Sequence, residues 1–337
     1  METKLLEVKN LKTQFRTERG TVTAVDGVSF TVHAGETVGM VGESGCGKSV
    51  TAESILRLLD EKSTKYEGEI RYQGTNLLDY SIAEMQDIRG NDISMIFQDP
   101  MSSLNPVYTV GNQIVEAILL HQNVSKKEAY VRAIEMLRLT GIPSPEKRIH
   151  EYPHELSGGM RQRVMIAMAL SCQPRLLIAD EPTTALDVTT QSQILDLINE
   201  LKENFNMGTI MITHDLGVVA EVCTRVVIMY LGQVIEEADV ESLFTSPYHP
   251  YTKGLLKSIP KLTGDRSNKL PIIEGKVPTL HQIPKGCRFA PRCEFASTQC
   301  REQMPELIQT ESSRKIRCWH YEKILEVGED QYVSTSN

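Results

Sequence analysis

The eight residues Gly42-Glu43-Ser44-Gly45-Cys46-Gly47-Lys48-Ser49 constrain this chain more than any other stretch. They follow the apolar run Thr37-Val38-Gly39-Met40-Val41 and precede a helical pattern over residues 50–59. Strand, glycine-rich turn and helix is the setting of a phosphate-binding loop. Glycines let backbone N–H groups turn toward phosphate oxygens where a Cβ would stand in the way. The helix N-terminus adds its partial positive charge. Lys48 can reach the β- and γ-phosphates, and the Ser49 hydroxyl can ligate Mg²⁺. A chance glycine turn of this pattern is expected in about one per cent of chains this long. The loop therefore implies a nucleoside triphosphate bound to an α/β layer.

At 337 residues the chain has room for about two domains. With 40% hydrophobic and 24% charged residues it has the composition of a soluble globular protein. A net charge of −8 argues against nucleic acid as the main partner. The start, Met1-Glu2-Thr3-Lys4, is charged, and no apolar segment of a signal peptide follows it. Apolar runs such as 164–170 and 176–179 are too short to span a bilayer, so a membrane role has to pass through a partner. Of seven cysteines, Cys287, Cys293, Cys300 and Cys318 gather near the end, which in a reducing compartment suggests a metal rather than disulfides.

Taken in order, residues 5–8 and 28–32 read as strands of a small N-terminal sheet. Between them Phe15, followed by the polar loop 16–20, either stacks on a base or fills the core. Residues 68–72 read as a strand, and 81–88 as a helix with Ser81 as N-cap and Glu84 three residues on. A buried strand over 93–98 ends in Gln98, by itself a merely solvated terminus. Residues 110–120 and 126–140 have helical periodicity and form an all-helical insert. Ser157 caps the next helix, and Gly158 and Gly159 leave its first-turn N–H groups open to an anion. The apolar run Leu176-Leu177-Ile178-Ala179 ends in Asp180-Glu181. In a chain with a phosphate loop, Asp180 would orient Mg²⁺ through water and Glu181 would polarise the attacking water. Ala185-Leu186-Asp187 leads into a helix over 191–205. A further buried strand, 209–213, ends at His214 on the edge where parallel sheets bind ligands. Residues 226–230 and 233–236 form a hairpin turned at Gly232, and 245–286 read as a wrap or linker.

These stretches together resemble the ATP-binding cassette (ABC) ATPases over residues 5–244. The matching motifs are the Walker A loop at 42–49, the Q-loop at Gln98, and the signature Leu156-Ser157-Gly158-Gly159-Met160. Walker B follows at 176–180 with Glu181, then the D-loop Ala185-Leu186-Asp187 and the H-loop His214. The resemblance implies a RecA-like P-loop core with an N-terminal antiparallel β-subdomain and a helical subdomain at about 99–170. It implies two cassettes meeting head to tail, with ATP held between Walker A of one and Ser157, Gly158, Gly159, Gln162 and Asp187 of the other. Glu181 would be the general base, His214 would contact the γ-phosphate, and Gln98 would sense Mg²⁺ and water; Phe15 stands where the family stacks adenine.

The stretch 96–106 and Tyr248-His249-Pro250-Tyr251-Thr252 further resemble the oligopeptide/dipeptide importer ATPases of the D type. That resemblance implies a homologous F-type cassette or a second copy as partner, two permease subunits docked on the helical insert, and an extracytoplasmic peptide-binding protein. It places the chain at the cytoplasmic face of the membrane. Nickel and some sugar importers share these features. Soluble ABC ATPases acting on ribosomes or DNA differ in carrying two cassettes, long coiled coils or basic surfaces.

The tail, 245–325, is a small Cys-rich extension with few helix or strand signals, and 326–337 is polar and expected to be disordered. Cys287, Cys293, Cys300 and Cys318 lack a close C-x2-C pair. Their wide spacing suits an iron–sulfur cluster, with zinc or no metal as alternatives. D-type peptide-importer subunits imply a [4Fe–4S] cluster at such cysteines. Cys172 and Cys223 are expected to pack as small hydrophobes, and oxidation of Cys46, in the phosphate loop, to impair ATP binding.

Overall fold

The computed structural model describes residues 3–18, 20–99, 103–184, 186–259, 272–311 and 314–325. Pro100, Met101 and Ser102 of the importer-like stretch, Ala185 of the D-loop and the tail 326–337 lie outside the described residues.

Two sheets organise the chain. The first is antiparallel, in the order β2-β1-β4-β5, built from β1 (Lys4–Thr17), β2 (Gly20–His33), β4 (Thr64–Tyr72) and β5 (Thr75–Asn76). The second runs β11-β12-β10-β9-β3-β8-β7-β6. Its strands are β3 (Thr37–Val41), β6 (Ile93–Ile96), β7 (Leu176–Asp180), β8 (Gly208–Thr213), β9 (Arg225–Tyr230), β10 (Gln233–Asp239), β11 (Ile308–Glu311) and β12 (Arg314–Ile316). Pairs β9·β3, β3·β8, β8·β7 and β7·β6 are parallel, and β9·β10, β10·β12 and β12·β11 are antiparallel.

Helices α1 (Lys48–Ile55) and α2 (Ile82–Ile88) precede β6. Between β6 and β7 lies the all-helical insert: α3 (Val110–His121), α4 (Lys126–Leu139), α5 (Pro145–Arg148) and α6 (Gly158–Leu170). Then come α7 (Val188–Phe205), α8 (Leu216–Val222), α9 (Val240–Thr245), α10 (Pro250–Lys257) and α11 (Thr298–Glu302). Strands β3, β7 and β8 are buried at every position, which is why they read as unbroken apolar runs rather than alternating ones. Ser81 and Ser125 close capping boxes with Glu84 and Glu128 at the starts of α2 and α4.

Several expectations are corrected. The first two strands run far beyond 5–8 and 28–32, so Phe15 sits within β1, and Arg16, Thr17 and Gly20 of the expected loop belong to strands. The strand expected over 93–98 stops at Ile96, and the helix expected from Gln191 begins at Val188, capped by the Asp187 carboxylate, which accepts from Thr190 N. Residues 245–286 are not all linker: Pro250–Lys257 is a helix whose first turn carries Pro250 behind the cap His249. After it, β12 pairs with β10, so this part of the tail is sewn into the main sheet.

Candidate functional site

All the parallel strands deliver their carboxyl ends to one edge, and the sequence motifs meet there. The phosphate loop leaves β3 and feeds α1. Gly42 is dictated by space, since a Cβ there would lie 2.2 Å from the Met229 carbonyl oxygen. Gly47 caps α1 at φ 103°, a conformation that opposes any side chain. The buried Lys48 ammonium donates to the carbonyl oxygens of Gly42 (2.7 Å) and Glu43 (3.3 Å), so it lies inside the curl of the loop.

Beside it, at the end of β7, Asp180 is 5% exposed and lies close enough to Ser49 for that hydroxyl to act on its ionisation. Burial raises its pKa, and the neighbouring Glu181 adds to this against the lowering by Ser49 and Lys48. Its Oδ1 is buried with no hydrogen-bond partner. A buried carboxylate oxygen left unsatisfied next to a serine hydroxyl is the donor set a hard divalent cation takes. Ser49 and Asp180 thus fit Mg²⁺.

Glu181 is the hub of the site. Its backbone is left-handed, φ 47°, a strained state for a non-glycine residue, with its N–H held by the Ile212 carbonyl at 2.9 Å. Its carboxylate accepts from Gln98 Nε2 (3.0 Å) and Thr184 Oγ1 (2.9 Å) and contacts His214 Nδ1 (3.1 Å). Burial opposes ionisation, but the contacts from His214 and Thr184 outweigh it and hold the carboxyl below its ordinary range. The group is therefore ionised, as a base must be, at neutral pH. Gln98, Glu181 and His214 come from the ends of three different strands, and Thr184 is a member the sequence reading missed.

The signature residues head α6. The Ser157 hydroxyl accepts from Met160 N at 3.3 Å, and a Cβ on Gly158 would meet nothing within 4 Å, so this helix start faces open space. Gln162 is buried and donates to the Pro182 carbonyl, tying α6 to the segment after Glu181. Phe15 is half-buried opposite Val22 and Thr64. Thr13, two residues earlier, hydrogen-bonds Ser54 of α1 at 2.8 Å, so β1 passes beside the helix of the phosphate loop.

Cys46 is 1% exposed and burial raises its pKa, so its thiol is shielded in this structure. Cys172 and Cys223 are buried as expected. Cys287, Cys293, Cys300 and Cys318 line one small cavity together with His249, Phe289, Trp319 and His320. Burial and the neighbouring cysteines push Cys293 to about 11 and Cys318 to about 12. None of the four is in a disulfide. Among the described residues, no group of three or more His, Cys, Asp or Glu is placed to hold a metal ion. Nor is any described helix long and apolar enough to cross a membrane.

Comparison with known proteins adds independent findings. Residues 25–184 match the model of the ABC transporter family, and 235–300 that of the oligopeptide/dipeptide transporter C-terminal region. The chain is 54% identical over 322 residues to a probable peptide ABC transporter ATP-binding protein, y4tR, of Sinorhizobium fredii, covering 95% of this chain and 96% of the relative. It is 53% identical over 320 residues to the oligopeptide transport ATP-binding protein AppD of Bacillus subtilis, covering 95% and 97%. Among solved structures it resembles a dimeric ATP-binding cassette in a post-hydrolysis state bound to ADP and Pi. That likeness has 28% identity and a TM-score of 0.63, over 70% of this chain and 98% of the other.

Proposed function

We propose, from the premise that this chain belongs to the ABC transporter ATP-binding proteins, that it is the ATP-hydrolysing subunit of a di- or oligopeptide importer. The observation that carries the chemistry is the ionised Glu181, held by Gln98, Thr184 and His214 one residue from Asp180. Lys48 and the loop amides bind the phosphates, and Mg²⁺ on Ser49 and Asp180 supplies charge neutralisation when bound. Glu181 takes the proton of the attacking water, and His214 and Gln98 orient both.

In this reading Ser157, Gly158, Gly159, Gln162 and Asp187 serve the ATP of a second cassette, an F-type homologue or another copy, and Phe15 stacks on adenine. Closure on ATP and opening after hydrolysis drive two permeases at the cytoplasmic face of the membrane. The chain lacks the basic balance of a nucleic-acid binder, and its likeness to y4tR and AppD favours peptide over nickel or sugar as cargo. Cells deleted for this chain should lose uptake of labelled di- and oligopeptides. Loss of nickel or sugar uptake with peptide uptake intact would reject peptide as the cargo.

Removing one contact to Glu181 has a signed consequence. His214 lowers the Glu181 pKa, so His214→Ala should raise it. Besides a fall in kcat, the acid limb of the kcat–pH profile should move toward neutral pH. An unmoved limb would show that another group controls that ionisation.

The four cysteines line one cavity but are not placed to hold a metal ion together; on the chemistry of four thiols alone we assign them to an iron–sulfur cluster, with zinc as the alternative. Its role is to stabilise a segment with little core of its own. Anaerobic purification should yield about four iron and four sulfide per chain, lost in Cys293→Ser. One zinc without sulfide would replace the cluster, and no metal would remove the assignment.

A further inference from the structure

The phosphate loop contains a carboxylate, Glu43, where the incoming ligand is a polyphosphate. Unpaired, it would repel the charge the loop exists to bind. It is paired. Arg292 clamps it bidentately, Nη1 to Oε2 at 2.7 Å and Nη2 to Oε1 at 3.0 Å.

The arginine is itself immobilised. Its side chain is 3% exposed, and it donates to the carbonyl oxygens of Glu274 (3.1 Å) and Ile273 (3.2 Å). Its guanidinium lies 5.8 Å from the ring centre of Tyr230 and 5.9 Å from that of Phe289. A second contact fixes the loop backbone, for Glu43 N donates to the Tyr251 hydroxyl at 2.9 Å. A third comes through Arg288, which donates to the Leu231 carbonyl; the next residue, Gly232, donates from its N–H to the Cys46 carbonyl at 2.7 Å. Arg288 follows Cys287 and Arg292 precedes Cys293, so the segment carrying two of the cavity's cysteines is seated on the phosphate loop.

We propose that Arg292, with Tyr251, is a positioning residue for ATP: it neutralises Glu43 and holds the loop in its phosphate-accepting shape. This rests on ATP binding at residues 42–49, as proposed above. A planar fork preset by packing gives up little freedom when the nucleotide arrives, and so favours binding more than chemistry.

The test is titration of the full chain with Mg-ATP, alongside steady-state turnover and melting temperature. Wild type must bind; if it does not, the functional reading fails rather than this one. Arg292→Gln should weaken ATP binding about tenfold while kcat at saturating ATP changes less than about twofold. Arg292→Lys should fall between. The double variant Glu43→Gln/Arg292→Gln should recover to within about threefold of wild type, because the unpaired charge has gone. A staple that only held the tail in place would lower the melting temperature and would not be rescued at Glu43. Wild-type affinity in Arg292→Gln, or a double variant no better than the single, overturns the proposal. Should Arg292→Gln fail to fold, Tyr251→Phe removes only the hydroxyl contact to Glu43 N. It should weaken binding severalfold, and unchanged affinity there is equally fatal.

Discussion

Glu181→Gln should bind ATP as wild type does and hydrolyse it about 10² to 10⁴ times more slowly, the usual worth of a positioned general base. The substitution preserves size and the capacity to accept from Thr184, which donates at 2.9 Å. It removes the one property that hydrolysis needs, a group ready to take a proton. The left-handed backbone at φ 47° is unaffected by a change beyond Cγ, so the fold should persist. Lys48, Ser49 and Asp180 are untouched, and so is the ATP-binding edge. Equilibrium binding of labelled ATP and a single-turnover assay separate the two effects. Turnover close to wild type would mean that Glu181 is not the base, and near-total loss of binding would mean that it is chiefly structural.

How much of this was legible depended on distance along the chain. The phosphate loop is eight adjacent residues whose types are forced locally, so it could be read directly. The carboxylates Asp180 and Glu181 close β7 and His214 follows β8, strands buried on both faces, which the sequence spells as largely apolar runs. The lengths of β1 and β2 were hidden by four register irregularities, which break the two-residue alternation that marks a strand. Helix α10 carried a signal that went unused, a proline behind a capping histidine. The burial of Cys46 could not be seen, because it depends on a core cluster that gathers Ala52 and Ile55 of α1 with Val227 and Met229 of the distant β9. Least visible was the Arg292–Glu43 clamp, which spans 249 positions. No local pattern relates residues so far apart, and Arg292 reads simply as a charge beside a cysteine. Only the sheet, by bringing β9 next to β3, puts the tail against the loop.

The signature helix offers a sharper dissection of assembly from fold. Gly158→Asp should abolish hydrolysis, with kcat falling at least about a hundredfold, while the chain melts no earlier than wild type. A side chain at Gly158 meets nothing within 4 Å, so no steric cost arises within the chain. An acid in the first turn of α6 is favourable for the helix, adding roughly 0.3–1 kcal/mol by interaction with its dipole. The same charge placed where a second cassette's γ-phosphate should settle is strongly repulsive, and there is little water at a closed interface to screen it. Stability and function are thus predicted to move in opposite directions, which a general packing defect cannot imitate. In the proposed head-to-tail assembly the chain's own ATP sits on residues 42–49, so ATP affinity of the isolated chain should be unchanged. ATP-dependent dimerisation of the Glu181→Gln background, followed by light scattering, should disappear when Gly158→Asp is added. Persistence of both the dimer and wild-type turnover would place the γ-phosphate elsewhere and remove Ser157, Gly158 and Gly159 from the site.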